Sequence, residues 1–552
     1  MTANWETHAS KIARPALAAP VALSLLLATA GCGGGGSKST PAPAASDAVD
    51  VTDEEDFPAD ASATHYHPIH HAAFGPIYGS GCPAFGPCGC GGATNLSQEF
   101  TCQIEHLEAS DVPITAYLFD GSAWSQRSSA ADSQCSGPDC CSWKLGDEPI
   151  QLLARDDVRG LLHYWGGCHT PEQYQRAYSR LGRNLLGFYL DDGSSDEELQ
   201  QVSEFMQSAI PGDWENVAKA YQNREPSTTN GGLSKWANSA YVGDLSFEFS
   251  GLQDAIDRIV AKGRYIPAPY AEFTGYAYLD TGSPDEEVYF RRLQFGALQP
   301  VMAHTPYANS DPWRPEYSAS LLQAYRYWAW LHKELVPYFY SYAYRMYETP
   351  GRLVVRRGPM ANSLRVGSEL FVPVVTEPTR SMTIQLPPGQ WIDYWDESRT
   401  LSGTLADYAV PLGREPIFIR AGSLIPMDVQ RAYTGHGTRE SRGSLTMLVY
   451  PRGSSTFRYR SDAREAWITF TSSLVGTQLT LAADVAPSKP VLYRIARWTD
   501  PPASVGVDGL QVTVNQQGSL PQLSSEAAVD GSKVSAWFYD TQAQRLVVKA
   551  VQ

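Results

Sequence analysis

Three aspartates follow apolar runs of the sequence, and two of them together could perform acid–base chemistry. Asp120 and Asp191 each come directly after six largely apolar residues, and Asp244 ends the run Ala-Tyr-Val-Gly-Asp. At the carboxyl ends of buried parallel strands, such side chains face a cleft where desolvation and neighbouring charge separate their pKa values. Glycoside hydrolysis uses such a pair, one carboxylate as nucleophile and one protonated acid as donor to the leaving oxygen. The alternative is structural, since Asp191 and Asp192 also stand where a helix cap is expected.

The segment around Asp191 has the pattern of a βαβ unit. Residues 160–165 predict a short strand, Thr170 with Gln173 forms a capping box for a helix, and residues 185–190 predict a strand that is apolar on both faces. Amphipathic helices are predicted to follow. Alternating strands and helices indicate a parallel sheet with helical cover.

The pattern changes in the second half of the chain. A long aromatic helix is predicted from Tyr317 to Glu348, broken or kinked near Pro337. After Gly351, short β runs alternate with turns, which is typical of all-β domains, and a polar stretch at 434–444 separates two such modules.

The composition limits the kinds of partner. The chain has 552 residues, which predicts two to four domains, and its formal net charge of −16 argues against a nucleic-acid partner. Its 14 tryptophans and 30 tyrosines suit a surface on which sugar rings stack, although large exported β-rich proteins are also rich in aromatic residues.

The N-terminus has the pattern of an export signal. Basic residues precede an apolar stretch at 16–30, and Thr-Ala-Gly-Cys, ending at Cys32, resembles a bacterial lipobox whose cysteine is lipidated. An ordinary secretory signal is the alternative. We therefore predict a lipoprotein-type signal at 1–32 and a flexible tether at 33–63, with the protein lipid-anchored in the bacterial cell envelope, at the outer membrane or cell surface, or secreted.

Eight further cysteines are clustered in one early stretch. In an exported chain, an even and clustered set predicts disulfides that staple long loops. A metal site is the alternative because histidines lie nearby, but the Cys-x2-Cys spacing of zinc sites is absent. The eight are Cys82, Cys88, Cys90, Cys102, Cys135, Cys140, Cys141 and Cys168.

Several ordered motifs resemble those of glycoside hydrolase family 31, the α-glucosidases and α-xylosidases. Residues 290–304 (FRRLQFGALQPVMAH) resemble the family's R-W-x-Q-x-G-A-F-x-P-x-x-R-x-H, and Asp-Pro-Trp at 311–313 stands where the family has Glu-Pro-Trp. Residues 335–338 resemble its L-x-P-Y helix, and residues 416–426 its proximal β-domain signature.

The resemblance implies catalytic roles for two of the aspartates. Residues 188–191 fall on the family's nucleophile strand, which makes Asp191 the residue that attacks the anomeric carbon. Residues 241–244 (YVGD) fall on the family's W-S-G-D, which makes Asp244 the acid/base and Tyr241 a stacking wall.

The resemblance also implies substrate-binding residues. Asp120 falls on the aspartate that hydrogen-bonds sugar hydroxyls, and His304 falls on the sugar-binding histidine. Trp165 ends the intervening strand and is positioned to stack on a sugar. The alternatives are core packing for Trp165 and a hydrogen-bonded core histidine for His304.

The chain departs from the family pattern at several positions. Thr228 and Met302 stand near or at positions of family arginines, and the step from Pro300 to His304 is one residue shorter. Asp192-Gly193 replaces Met-Asn-Glu, and residues 272–276 replace Asp-Ile-Gly-Gly-Phe. These changes weaken the assignment of a substrate more than that of the reaction class.

The resemblance implies a (β/α)8 TIM barrel followed by two β-sandwich domains. We place the catalytic barrel with its cysteine-rich loops at 64–350, the proximal β-sandwich at 351–432 and the distal one at 433–552. The family's usual N-terminal β-sandwich has no room before barrel-like sequence begins near Tyr66.

The expected function is a retaining α-glycoside hydrolase that acts by double displacement and needs no metal or organic cofactor. Its expected partner is an α-linked glycoside or oligosaccharide, and the lipid anchor is its expected link to the membrane. A degenerate barrel that binds glycans without cleaving them is the alternative, and transglycosylation is a variant of the first hypothesis.

Overall fold

The computed structural model describes most of the chain from Phe74 to Val551. The predicted signal, tether, Cys32 and seven of the eight clustered cysteines lie outside the described residues. The described residues are 74–79, 96–119, 150–151, 153–154, 158–164, 171–190, 196–209, 215–219, 239–243, 245–264, 266, 268–271, 285–305, 310–349, 353–462, 465–516 and 518–551.

Eight parallel strands form the first sheet. Their order is β7-β6-β5-β4-β3-β2-β1-β8, so each strand lies beside its sequence neighbour and β8 pairs with β1. Among the described residues, β7 and β8 are the two edges. The strands are β1 (Ile77–Gly79), β2 (Ala116–Phe119), β3 (Arg159–Tyr164), β4 (Leu185–Leu190), β5 (Glu215–Lys219), β6 (Ser239–Tyr241), β7 (Ala268–Tyr270) and β8 (Ala303–His304).

Within the described residues, helices lie between five of the seven successive pairs of these strands, as the alternating pattern predicts. The predicted aromatic helix is interrupted at Leu335 and forms two helices. Pro337 lies in the first turn of the second helix, where its missing N–H is not needed. The helices are α1 (Leu96–Ala109), α2 (Pro171–Leu181), α3 (Asp196–Ala209), α4 (Phe249–Lys262), α5 (Glu286–Leu298), α6 (Ala319–Glu334), α7 (Val336–Glu348) and, near the C-terminus, α8 (Glu526–Gly531).

A six-stranded sheet and a two-stranded sheet follow α7. The larger has the order β14-β13-β16-β11-β10-β9 and the smaller pairs β12 with β15, all antiparallel. The strands are β9 (Val355–Arg357), β10 (Ser363–Val366), β11 (Leu370–Pro373), β12 (Ser381–Gln385), β13 (Trp391–Asp393), β14 (Asp396–Leu401), β15 (Thr404–Ala409) and β16 (Phe418–Arg420).

Two five-stranded sheets complete the chain, with the orders β17-β18-β22-β26-β25 and β19-β20-β21-β24-β23. Sheet membership changes between β16 and β17, N-terminal to the predicted boundary at 432. The strands are β17 (Leu424–Met427), β18 (Leu445–Val449), β19 (Ser454–Tyr459), β20 (Ile468–Val475), β21 (Gln478–Ala483), β22 (Val491–Ile495), β23 (Val505–Asp508), β24 (Gln511–Val514), β25 (Ala536–Asp540) and β26 (Arg545–Ala550).

Helix α5 joins the parallel sheet to the six-stranded region through the polar side chains of its R-x-x-Q pattern. Arg291 is fully buried, donates to the carbonyls of Thr379 and Val410 at 2.7 Å, and pairs with Glu415 at 3.4 Å. Gln294 donates to the carbonyl of Pro416 at 2.7 Å. Because a buried charge is stable only when it is paired, these contacts fix how the two regions pack.

Candidate active site

Four of the six predicted catalytic and sugar-contacting residues lie outside the described residues. They are Asp120, Trp165, Asp191 and Asp244. The described strands nevertheless show where the chain carries them: β2, β3 and β4 end one residue before Asp120, Trp165 and Asp191, and β6 ends three residues before Asp244. All four therefore follow the carboxyl ends of strands in one parallel sheet.

The backbone just before Asp244 has a conformation that favours glycine. Gly243 has φ of 99°, a conformation that glycine adopts readily and that strains any side chain. Tyr241, the last residue of β6, is buried, and its ring centroid lies 6.0 Å from that of Tyr189 on β4. Tyr241 thus contributes to the packed wall between these two strands.

Two arginines donate hydrogen bonds to backbone carbonyls on either side of Asp244 in the sequence. Arg292 of α5 is fully buried and donates from Nη2 to the carbonyls of Ser246 and Glu248, the second at 2.7 Å. Its guanidinium also lies 5.1 Å from the ring centroid of Phe247. On the preceding side, Arg258 of α4 donates to the carbonyl of Val242 at 3.3 Å. The segments that flank Asp244 are therefore anchored to two helices.

His304 lies in β8 within a buried polar network. It is 1% exposed, with Nδ1 2.9 Å from the Tyr325 hydroxyl and Nε2 3.2 Å from Ser310 Oγ. Burial lowers the pKa of His304 to about 3, so the ring is neutral near pH 7. This is the arrangement of the alternative interpretation, a hydrogen-bonded core histidine, and direct sugar binding by His304 stays a prediction.

A tyrosine and the Asp-Pro-Trp motif extend this network. Tyr78 of β1 donates to Asp311 at 2.6 Å, and both side chains are buried. The Tyr78 ring stacks on Trp313 with centroids 5.8 Å apart, and His106 stacks on Trp313 at 4.8 Å. Burial, followed by the nearby Asp311 carboxylate, raises the pKa of Tyr78 well above its ordinary value, so it remains a hydrogen-bond donor.

Sequence reasoning missed three tyrosines of this network, Tyr78, Tyr289 and Tyr325. The Tyr289 hydroxyl donates to the carbonyl of Ser310 at 2.6 Å, which orients the residue that contacts His304. Nothing in the sequence separates these three from the remaining tyrosines, because their contacts come from β1, α5 and α6, which are distant in sequence.

The remaining predictions about cysteines, metals and membranes are touched only in part. Cys102, in α1, is disulfide-bonded. Within the described ranges there is no group of three or more His, Cys, Asp or Glu side chains suited to a metal ion. No helix in the same part of the chain has the length and apolar character needed to span a membrane.

Known proteins with similar sequences act on glycosidic bonds. Residues 358–425 match the family model described as "Glycosyl hydrolase family 31 C-terminal domain". An isomaltosyltransferase of Sporosarcina globispora is 23% identical over 416 residues, which cover 68% of this chain and 37% of that protein. An α-glucosidase of Aspergillus oryzae is 24% identical over 346 residues, covering 58% of this chain and 33% of that protein.

Among solved structures, the cycloalternan-forming enzyme of Listeria monocytogenes superposes with a TM-score of 0.69 at 15% identity, over 89% of this chain and 54% of that one. The chain is similar to proteins of glycoside hydrolase family 31. It spans about a third of the length of the isomaltosyltransferase and of the α-glucosidase. The likeness to the solved structure shows the fold alone.

Two departures from the family 31 pattern lie within the described residues, Met302 and the shortened step from Pro300 to His304. Met302 stands where the family has an arginine two residues before the histidine; its side chain is buried and its backbone N–H donates to Nε2 of His332 at 3.2 Å. His332 in turn contacts the carbonyl of Ala297 through Nδ1 at 2.8 Å. An apolar side chain packed here supplies no positive charge toward a substrate.

Proposed function

We propose that the chain is a retaining α-glycoside hydrolase of family 31 in which Asp191 is the nucleophile and Asp244 the acid/base. One observation carries the proposal: these two aspartates follow β4 and β6 at the carboxyl edge of one parallel sheet. Catalytic groups gather at that edge in parallel barrels. The names of similar proteins, an isomaltosyltransferase and an α-glucosidase, support the choice of α-linked sugars.

The proposed mechanism is a double displacement. Asp191 attacks the anomeric carbon while Asp244 donates its proton to the departing glycosidic oxygen, and the glycosyl–enzyme ester forms as that C–O bond breaks. Asp244 then removes a proton from water, which attacks the same carbon and releases Asp191. This chemistry needs the carboxyl groups about 5–5.5 Å apart, whereas an inverting enzyme holds them about 6.5–9.5 Å apart.

The substrate pocket is proposed to lie above the mouth of a closed (β/α)8 barrel, in which β7 and β8 complete the sheet. Asp120 and Trp165 follow β2 and β3 and would contact the sugar as hydrogen-bond partner and stacking surface. Tyr241 supports the pocket wall from beneath. His304 reaches a hydroxyl only if it exchanges its contact with Ser310 for one to the substrate.

The proposed location is the bacterial cell envelope, with the chain exported and attached by a lipid on Cys32, or else secreted. Metabolic labelling with a palmitate analogue tests this: labelled wild-type protein and unlabelled Cys32→Ser protein are expected. Labelling of both forms, or of neither, contradicts the anchor.

Assays on a panel of aryl α-glycosides test the proposed activity. Asp191→Asn and Asp244→Asn are each expected to reduce kcat by about 100-fold or more, because each removes assistance that acts in the transition state. Asp192→Asn is the matched control, since it makes the same change one residue away, and it should retain most activity. Near wild-type turnover of a natural substrate by either of the first two variants contradicts the assignment.

Transfer to a sugar acceptor is a second candidate function. The isomaltosyltransferase match favours it, because the same glycosyl–enzyme intermediate serves transfer when an acceptor sugar replaces water. Chromatography of products at rising substrate concentration distinguishes the two: longer saccharides indicate transfer, and monosaccharide alone indicates hydrolysis. Saccharide binding with no product of either kind supports the degenerate glycan-binding alternative.

A further inference from the structure

A cleft of about 370 Å³ lies between the six-stranded sheet and the two five-stranded sheets. Its size is within the range of small-molecule pockets, about 300–1,000 Å³, which are often found at domain interfaces. Gln390, Ile392 and Thr400 line it from one side, and Arg452, Leu474 and Trp498 are among the residues on the other. None of its lining residues comes from the parallel sheet, so it is separate from the proposed catalytic pocket.

Two residues that line the cleft have a strained backbone conformation and hydrogen-bonded side chains. Arg497 and Asn515 both line it and both have positive φ, 59° and 57°. A left-handed conformation is unfavourable for arginine and persists only where surrounding contacts impose it, which often marks a functional position. The Arg497 guanidinium donates to the hydroxyl of Thr400, and the Asn515 amide donates to the carbonyl of Thr477 at 3.0 Å. The cleft is therefore formed before any ligand arrives.

The indole that lines the cleft is also fixed through its backbone. The N–H of Trp498 donates to the carbonyl of Gln544 at 2.9 Å, and its carbonyl accepts from the Tyr539 hydroxyl at 2.8 Å. Together with Ile392 and Leu474, Trp498 gives the cleft an apolar part.

Three polar side chains of the lining are accessible to a ligand. Gln390 and Asp500 are exposed, and Arg452 is partly exposed. They combine donors with acceptors beside the apolar part. A pyranose ring matches this combination, because its C–H face is apolar and its hydroxyls both donate and accept.

We propose that this cleft is a second saccharide-binding site, which takes a short neutral oligosaccharide through Gln390, Arg452 and Asp500. The choice of saccharide chemistry rests on the proposed function, while the site itself rests on the cleft. Such a site would retain a glycan chain near the catalytic domain without taking part in bond cleavage.

Native mass spectrometry of Asp191→Asn protein with isomaltotriose and maltotriose tests the proposal by counting bound molecules. Two bound saccharides are expected, one in each pocket. Adding Arg452→Ala and Asp500→Ala together should weaken binding of the saccharide in the cleft at least tenfold, so that only one bound molecule is counted. The matched control is Asp508→Ala, at an exposed aspartate that ends β23 outside the cleft, and it should leave both bound saccharides.

The count also separates this proposal from the catalytic one. If the catalytic pocket binds no sugar, the count falls from one to zero on changing Arg452 and Asp500, and the cleft proposal stands alone. An unchanged count in that variant overturns the cleft proposal. The proposal is also overturned if the cleft binds inorganic sulfate through Arg452 and binds neither trisaccharide. Circular dichroism of each variant confirms that the fold is retained.

Discussion

The buried Arg292 is expected to control the placement of the segment that carries Asp244. Its guanidinium binds the carbonyls of Ser246 and Glu248, two and four residues beyond that aspartate. Arg292→Lys keeps the charge but replaces the planar fork with a single ammonium on a differently shaped stem, so at least one carbonyl loses its partner. The perturbation is therefore a small displacement of the loop in a folded protein.

The magnitude follows from the two hydrogen bonds. A hydrogen bond to a charged group contributes about 1.5–3 kcal/mol, so loss of one to two of them costs about 1.5–6 kcal/mol in the free energy of unfolding. A displacement of about 1 Å at a catalytic group lowers kcat by about 100-fold. Because Arg292 contacts the acid/base segment, the limb of the pH profile that reports Asp244 should move as well.

Arg291 is the matched control, since it is the adjacent residue, equally buried, and binds carbonyls outside the loop. Arg291→Lys and Arg292→Lys should lose similar stability in urea unfolding. Only Arg292→Lys should lower kcat and shift the pH profile when rates are corrected for the folded fraction. Equal loss of kcat in both variants, or wild-type kcat in Arg292→Lys, refutes this account of the loop.

Three further predictions concern backbone strain, pH and disulfides. Gly243→Ala should lower kcat/KM of the folded protein, because a Cβ strains the positive-φ backbone just before Asp244. An unchanged kcat/KM contradicts this. Burial raises the pKa of Glu334 from 4.5 to about 7, so native protein keeps a proton that the unfolded chain releases. Glu334 should therefore lower the free energy of unfolding by about 3 kcal/mol as pH rises from 4.5 past 7, and Glu334→Gln should change the pH dependence by that amount relative to wild type; equal pH slopes of wild type and variant refute it. Reduction of the exported protein should add about two daltons per bridge among the eight cysteines from Cys82 to Cys168; eight alkylated thiols without reductant contradict it.

Regular elements were predictable where a single period governs the sequence. The strand at 185–190 and the helix after Thr170 appear as β4 and α2, because apolar runs and caps are local signals. The break near Pro337 is also confirmed, since proline restricts its own position. A parallel sheet followed by mainly antiparallel sheets agrees with the expected architecture. Complete closure of the barrel stays a prediction.

The environment of the candidate site was less predictable, because it depends on contacts between distant elements. His304 is a clear case: its motif points to sugar binding, yet Tyr325 and Ser310 occupy both ring nitrogens. The second residue of the R-W-x-Q motif is Arg292 in this chain, and only the fold shows that its guanidinium binds the loop after β6. Spacing identifies such residues as candidates but does not reveal their partners.

The stereochemistry of the first-formed product tests the central proposal most directly. Proton NMR of a cleaved aryl α-glycoside records the anomer before mutarotation. A covalent intermediate on Asp191 inverts the anomeric carbon twice, so the α-anomer should appear first. A β-anomer as the first product would contradict double displacement, even if Asp191 and Asp244 both proved essential.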